Sequence, residues 1–320
     1  MAAGEIVQSI VAPAGVYAAS IHRLWLLMLW VSAAVFGILL GLMLAALTRG
    51  MRQCRPGALP PTSDHRLSRV IGAGILATLA VLVALLGASV WTGRAVASPH
   101  GDPPLGIAIV GHQWWWEVEY EDAQPSRRVL TANELHLPLH RPVVLKVTSR
   151  DVIHSFWVPT LQGKRDLIPG MTTVMWLQAD RAGRFRGQCA EFCGLQHAHM
   201  AFDVVAEPPA SFEQWLAQAR APARVPGTSL ERQGLAVFTA GRCGRCHTIR
   251  GTDAAGQIAP DLTHVASRRT LGAGTLSNTP AHRRAWIADP QAFKPGNQMP
   301  ASSMGDEAMA ALLAYLDTLR

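Results

Sequence analysis

Charged side chains are scarce in this 320-residue chain: Asp, Glu, Lys and Arg make up 16%, against 49% hydrophobic residues. That imbalance argues against an ordinary soluble domain and leans toward membrane association. Cysteine is limited to five positions. Four fall in two tight motifs, which leaves no disulfide framework. The first twenty residues lack the basic and apolar regions of a cleavable signal peptide, so the first apolar span itself is expected to direct insertion. No internal repeat and no low-complexity tail is present. The net charge of +7 arises partly in one short Arg-rich loop, which gives no support to a nucleic-acid partner and suits anionic lipid headgroups instead.

What is present begins with two apolar windows, Leu24 to Leu47 and Val70 to Trp91, neither with an ionisable side chain. At a rise of ~1.5 Å per residue each crosses a hydrocarbon core of ~30 Å. Arg49, Arg52, Arg55, Arg66 and Arg69 lie between the windows, whereas the outer flanks carry only Arg23 and Arg94. Short Arg-rich loops stay cytoplasmic. Both termini, and everything after Arg94, are therefore expected outside the cytoplasm, and Cys54 in the inner loop reads as an unpaired bystander.

The outer part changes pattern twice. From about Leu105 to Val205, short runs such as Ile107–Val110, Val143–Thr148, Thr173–Leu177 and Phe202–Val205 alternate with Gly and Pro, which predicts a compact antiparallel sandwich. A short helix over Ser211–Ala219 and a Pro- and Ala-rich linker through Pro226 follow. Beyond Gly227 the period turns helical, with helices over Leu230–Ala240, Ala281–Ala288 and Asp306–Leu319. In the last, Met309, Leu312, Leu313 and Leu316 share a face, and Asp306 and Glu307 favour its N-terminus. The expected organisation is a multi-domain membrane protein: 1–23 an extracytoplasmic segment, 24–94 a two-helix transmembrane hairpin, 95–207 a β-sandwich, 208–226 a linker, and 227–320 an all-α domain.

The stretch from Cys189 to Met200 concentrates Cys189, Cys193, His197 and Met200 in one loop. Thiolate, imidazole and thioether together select copper over hard cations. One Cys, one His and one Met, with a second His from elsewhere, would suit a mononuclear site. The second Cys changes the count, because two thiolates can each bridge two metal ions. His154, in Asp151-Val152-Ile153-His154-Ser155-Phe156-Trp157, offers the remote imidazole. A disulfide is the bland alternative, and zinc a weak one, since zinc has little use for a Met ligand.

A second signature is Cys243-Gly244-Arg245-Cys246-His247, the pattern of c-type haem attachment, with two thioethers and His247 on the iron. Electron-transfer haem needs a second axial ligand, and Met raises the potential. Met299 in Lys294-Pro295-Gly296-Asn297-Gln298-Met299-Pro300 is favoured over Met304, and Met309 falls inside the last helix with a core role. His112-Gln113-Trp114-Trp115-Trp116-Glu117 carries three consecutive tryptophans. Neighbours on a strand face opposite ways, so at least one is expected to be exposed.

The copper loop, the His154 segment and the aromatic run resemble cytochrome c oxidase subunit II, here followed by a segment that looks like a fused class I cytochrome c domain. The resemblance implies a cupredoxin fold holding binuclear CuA, two copper ions. Cys189 and Cys193 would bridge them, His154 and His197 would each ligate one, Met200 would be a weak axial ligand, and the Glu191 carbonyl the last donor. It further implies a magnesium facing the Glu191 side chain at the subunit I boundary, electron entry past Trp114, and one covalent haem c on Cys243, Cys246, His247 and Met299. The implied role is an electron-entry subunit in a bacterial plasma membrane with its domains in the periplasm. Its partners would be subunits I and III and a donor such as cytochrome c or a bc1-type complex. Oxygen reduction and proton translocation would lie in subunit I, since this chain offers no candidate oxygen site.

Two departures stand out. Trp115 replaces the usual Tyr of the aromatic motif. The acid that often opens the second span is replaced by His65-Arg66-Leu67-Ser68-Arg69, with Asp64 the nearest carboxylate, so a proton-entry role is not carried over. Three rivals come from other classes. Nitrous oxide reductase would need a propeller domain, and quinol oxidase subunit II lacks the copper ligands. A membrane-tethered redox shuttle with copper and haem would need no large partner.

Overall fold

The computed structural model describes residues 6–52, 64–97 and 104–320. Cys54 and Arg55 lie outside the described residues. Two long helices, α1 (Val16–Arg52) and α2 (Asp64–Ala97), account for the apolar windows and run beyond them by whole turns at both ends. Neither window contains proline, so nothing halts the hydrogen-bond ladder at its edges. Residues Ala19–Ser98 form a compact unit of their own. Apolar side chains project outward all around it, with Phe36 and Leu76 each 68% exposed. A helix apolar on every side is matched by lipid rather than water.

The other unit takes in Met1–Ala18 together with Pro99–Arg320, so the chain leaves it before the first span and rejoins it after the second. Strand β1 (Ile6–Val7) pairs in parallel with Arg184–Phe185. The backbone then stitches onward: Ala14 N–H donates to the Thr160 carbonyl (2.8 Å), and Asp180 N–H donates to that of Ala14 (2.8 Å). Ala14 joins the main core at 2% exposure. The N-terminal segment is thus an edge of the outer domain, a role that two apolar residues in isolation did not reveal.

Two sheets face each other across that core. One contains β2 (Leu105–His112), β3 (Trp115–Tyr120), β4 (Val129–Ala132), β6 (Val143–Ser149) and β9 (Thr173–Leu177), in the order β4-β3-β2-β6-β9. The other runs β5-β11-β10-β7-β8, from β5 (Glu134–Pro138), β7 (His154–Trp157), β8 (Arg165–Leu167), β10 (Gly183–Cys189) and β11 (Ala201–Glu207), with β1 on β10. Burial alternates residue by residue along β2, β3 and β10, the period-two pattern of strands with one face inward. Trp116, Phe156 and Phe202 meet at its centre, with Phe156 and Phe202 stacked at 4.7 Å. The sandwich is mixed rather than purely antiparallel: β2–β6, β11–β5 and β1–β10 are parallel pairs. Alternation reports which face a residue takes and says nothing of strand direction.

Helix α3 (Pro209–Arg220) packs on the sandwich, burying Phe212, Leu216 and Ala219 in the same core. Trp215 stacks on His136 at 3.9 Å, and the imidazole is held between Glu134 and Glu207 at 2.7 Å each. The helical domain comprises α4 (Ser229–Ala240), α5 (Cys243–Cys246), α6 (Pro280–Ala288) and α7 (Asp306–Leu316) around Phe238, Ile249, Leu312 and Tyr315. A capping box between Thr228 and Glu231 starts α4, satisfying otherwise unpaired amides. Helix α7 stops three residues short of the predicted Leu319, because the chain turns there to let the Leu319 carbonyl accept from Ala266 N–H (2.8 Å).

Helices α4 and α7 cross at Gly234, where a Cβ would run into the Ala311 carbonyl and lie 2.7 Å from the Tyr315 Cβ. A backbone carbonyl cannot rotate away as a side chain could. Gly234→Val is expected to destabilise the helical domain by about 3 kcal/mol through overpacking, seen as a lower thermal midpoint of the full chain. An unchanged midpoint would contradict this packing.

Candidate metal centre

The sandwich brings the remote imidazole to the cysteine loop by register. Strand β10 ends at Cys189, which pairs with Phe156 on β7, and β7 begins at His154. Ala190 N–H donates to the Ser155 carbonyl (2.9 Å), and Cys189 N–H donates to that of Met200 (2.9 Å), closing residues 189–200 into a ring. The His154 ring needs the space left by Gly111: a Cβ there would stand 2.8 Å from the imidazole Cδ2. The Asp151 carboxylate accepts from His154 Nε2–H (2.8 Å) and from the Gln113 backbone N–H (2.7 Å). Nε2 therefore carries the proton, and Nδ1 is turned inward as the free donor.

Six sequence-predicted residues converge on that point. The two thiol sulfurs are 3.7 Å apart, far beyond a disulfide bond at ~2.05 Å, and both cysteines are free. His154 Nδ1 lies 3.9 Å from Cys189 Sγ, and His197 Nδ1 3.5 Å from Cys193 Sγ. Met200 Sδ is 3.8 Å from Cys193 Sγ, and the Glu191 carbonyl 3.2 Å from Cys189 Sγ. His154 and Met200 are fully buried, and Cys189 and Cys193 nearly so. The Glu191 carboxylate points outward, 3.9 Å from Lys164 Nζ.

Electrostatics asks for a cation here. The hydrogen bond from Cys193 pulls the Cys189 thiol far below its usual range, aided by His154, while the same bond and burial push Cys193 up. Burial would lower His154, but its contacts with Cys189 and Asp151 raise it overall. Two buried thiols this close cannot both ionise unless positive charge joins them. Soft sulfur, imidazole and thioether in a dry pocket fit copper.

The haem motif also fits its group. Cys243 and Cys246 are free and lie on the single turn α5, with His247 capping it. His247 Nδ1 lies 2.7 Å from the Pro260 carbonyl. A carbonyl can only accept, so Nδ1–H donates and Nε2 is left for iron. Burial holds the His247 pKa down, keeping the imidazole neutral. Met299 is pinned by its backbone: its N–H donates to Asn297 Oδ1 (2.9 Å), and its carbonyl accepts from Gln291 Nε2–H (3.2 Å). Met304 packs against the helical core, and Met309 is buried on α7.

The three tryptophans divide differently from the expectation that one would be exposed. Trp116 is fully buried, and Trp115 is half-buried against His112 at 4.2 Å. Trp114 sits in the turn between β2 and β3, at 9% exposure. Its Nε1–H donates to the Cys193 carbonyl (2.9 Å), as does Gln113 Nε2–H (2.8 Å). The haem-type domain supplies its cover. Lys294 Nζ reaches the Trp114 carbonyl, Gln196 Nε2–H donates to the Pro295 carbonyl (2.8 Å), and Ala201 N–H donates to that of Ala273 (3.0 Å). Burial lowers the Lys294 ammonium to about 7, against the charge of Cys193, which raises it. Sequence reasoning missed Gln113 as a support of the copper loop and Gln196 and Lys294 as interface residues, and their partners up to 180 residues away leave no local signal.

Residues 123–207 match the profile described as cytochrome c oxidase subunit II, periplasmic domain, and residues 232–320 match that of cytochrome c. The chain is 38% identical over 247 residues to cytochrome c oxidase subunit 2 of Alkalihalophilus pseudofirmus, covering 75% of this chain and 70% of that one. The chain belongs to the cytochrome c oxidase subunit 2 family. To the Bacillus subtilis protein of the same name it is 30% identical over 226 residues, covering 68% of this chain and 62% of the relative. Among solved structures it is similar to the periplasmic domain of subunit II of cytochrome oxidase from Bradyrhizobium japonicum, at 31% identity and a TM-score of 0.35, covering 38% of this chain and 96% of that one. Family membership gives the sandwich a copper-binding domain, the C-terminal region a haem-binding domain, and the chain an oxidoreductase role as an oxidase subunit. Two apolar helices with a periplasmic-type domain after them make it a membrane protein with its domains outside.

Proposed function

We propose that this chain is the electron-entry subunit of a haem-copper oxidase. It takes electrons from a respiratory donor, such as cytochrome c or a bc1-type complex, at its C-terminal domain. It hands them through the Cys189–Met200 loop to subunit I, where oxygen is reduced to water and protons are translocated. The observation that carries the reading is the docking of the Met299 loop onto Trp114, whose indole is hydrogen-bonded to the Cys193 carbonyl. Bound copper supplies a centre that gains or loses an electron with little rearrangement, and bound haem c supplies a carrier of raised potential.

The chain's residues do the rest. Cys189, Cys193, His154 and His197, with Met200 and the Glu191 carbonyl, would hold the copper. Asp151 fixes the His154 ring, and burial excludes water, which limits solvent reorganisation. Cys243, Cys246, His247 and Met299 would hold the haem. The exposed Glu191 carboxylate is the group that would meet a magnesium at the subunit I boundary. Because Trp114 is covered, a soluble donor reaches the copper loop by way of the haem domain.

Copurification tests the reading against a free-standing redox shuttle. Isolated in mild detergent from its native membrane, the chain is expected to bring polytopic, haem-bearing subunits I and III with it. Recovery of the chain alone, with copper and haem bound, would favour the shuttle.

A further inference from the structure

Lys294 is 2% exposed, yet no salt bridge to it is found among the described residues. Its ammonium is held by three backbone carbonyls: Trp114 (2.8 Å), His199 (2.7 Å) and Gly272 (2.8 Å). An ammonium has three donors, so all are used. Trp114 and His199 belong to the copper domain, one hydrogen-bonded to Cys193 and the other next to Met200. Gly272 belongs to the haem-type domain. The Lys294 carbonyl in turn accepts from Asn297 Nδ2–H (2.7 Å), and Asn297 Oδ1 accepts from Met299 N–H (2.9 Å). A continuous hydrogen-bonded path therefore joins the Met299 backbone to the Cys193 carbonyl through Lys294 and Trp114.

A buried cation is a poor source of interface strength, because its desolvation offsets what its contacts return. Its effect lies in register. A small slide of one domain on the other would leave an ammonium donor unsatisfied in a dry interface, which is costly. The neighbouring contacts, Gln196 to the Pro295 carbonyl, Ala201 N–H to the Ala273 carbonyl and Arg269 to Asp203 at 3.8 Å, each join a single pair of groups, whereas Lys294 ties three carbonyls from both domains. We infer that Lys294 is the positioning residue that locks the haem domain in a single register on the copper loop and so holds the donor and acceptor centres at one separation.

This inference rests on the electron-entry reading, and its test separates the two. In the purified oxidase, the distribution of haem-to-copper distances is measured by pulsed EPR, and the haem-to-copper transfer rate by rapid photoreduction, in wild type and Lys294→Met. Methionine fills the site without needing three acceptors. The expected result is a narrow distribution in wild type and a broad one in the variant. The transfer rate falls and becomes heterogeneous in the variant, while the haem and copper spectra themselves stay unchanged. Equal widths and equal rates would overturn the inference, as would a broad distribution in wild type. Lys294→Gln, which keeps two donors, is read the same way if the methionine variant does not assemble. Absence of transfer in wild type would sink the electron-entry reading alone, since the distance widths still report on the latch.

Discussion

Replacing Cys193 with serine is expected to halve the copper content of the chain and to localise its unpaired electron on one ion. The loop would then offer Cys189, His154, His197 and Met200, a donor set for a single copper. Serine oxygen is hard and poorly polarisable, and it does not replace a thiolate shared between two coppers. The surroundings argue that the change is confined to the metal. Cys193 is nearly buried, but its carbonyl holds Trp114 and Gln113 through the backbone, which serine retains. The EPR hyperfine pattern should pass from one electron shared equally by two nuclei to one interacting with a single nucleus. Persistence of the shared pattern in Cys193→Ser would mean that this thiolate is not a bridge.

A comparably large effect is expected at the other redox group from Met299→His. Axial ligand identity moves haem potentials across a range of roughly 0.8 V, and Met sets a higher potential than His. The haem should remain low-spin, lose the spectroscopic signature of sulfur ligation, and drop in potential by a tenth of a volt or more, on the order expected within that range. A lower haem potential steepens the step to copper but disfavours the step from the donor, so steady-state turnover is a secondary readout. Met304→Leu is the control. Its side chain already packs against the helical core, so haem spectrum and potential should be unaffected. The reverse outcome, sulfur ligation lost in Met304→Leu and kept in Met299→His, would reassign the ligand.

Much of the copper loop was legible because its chemistry is local. Cys189, Cys193, His197 and Met200 lie within twelve residues, and the soft donor set speaks before any fold is known. His154 was legible only as a remote partner with the right chemistry. Its delivery depends on the β7–β10 register and on the room at Gly111, which spacing does not encode. The helices of the C-terminal domain followed from their period to within a turn or so. Strand direction did not, since alternation is the same in parallel and antiparallel pairs.

Least legible was how the two outer domains meet. Lys294 reads in sequence as a charged loop residue before Pro-Gly, ordinarily a solvated position. Only the convergence of carbonyls from Trp114, His199 and Gly272 makes it interior. The N-terminal strand is similar: Ile6 and Val7 gain a role only when β10 offers an open edge beyond β7. Trp114, which the resemblance gives as the point of electron entry, is covered by the C-terminal domain of the same chain.

The most direct test of electron entry through the chain's own haem is photoreduction of haem c in the purified oxidase. Haem reoxidation and copper reduction are followed together at several protein concentrations. The two should proceed with one rate constant that does not change with concentration, because donor and acceptor share a docked interface. A rate that rises with concentration, or copper reduced without passage of electrons from haem, would contradict it.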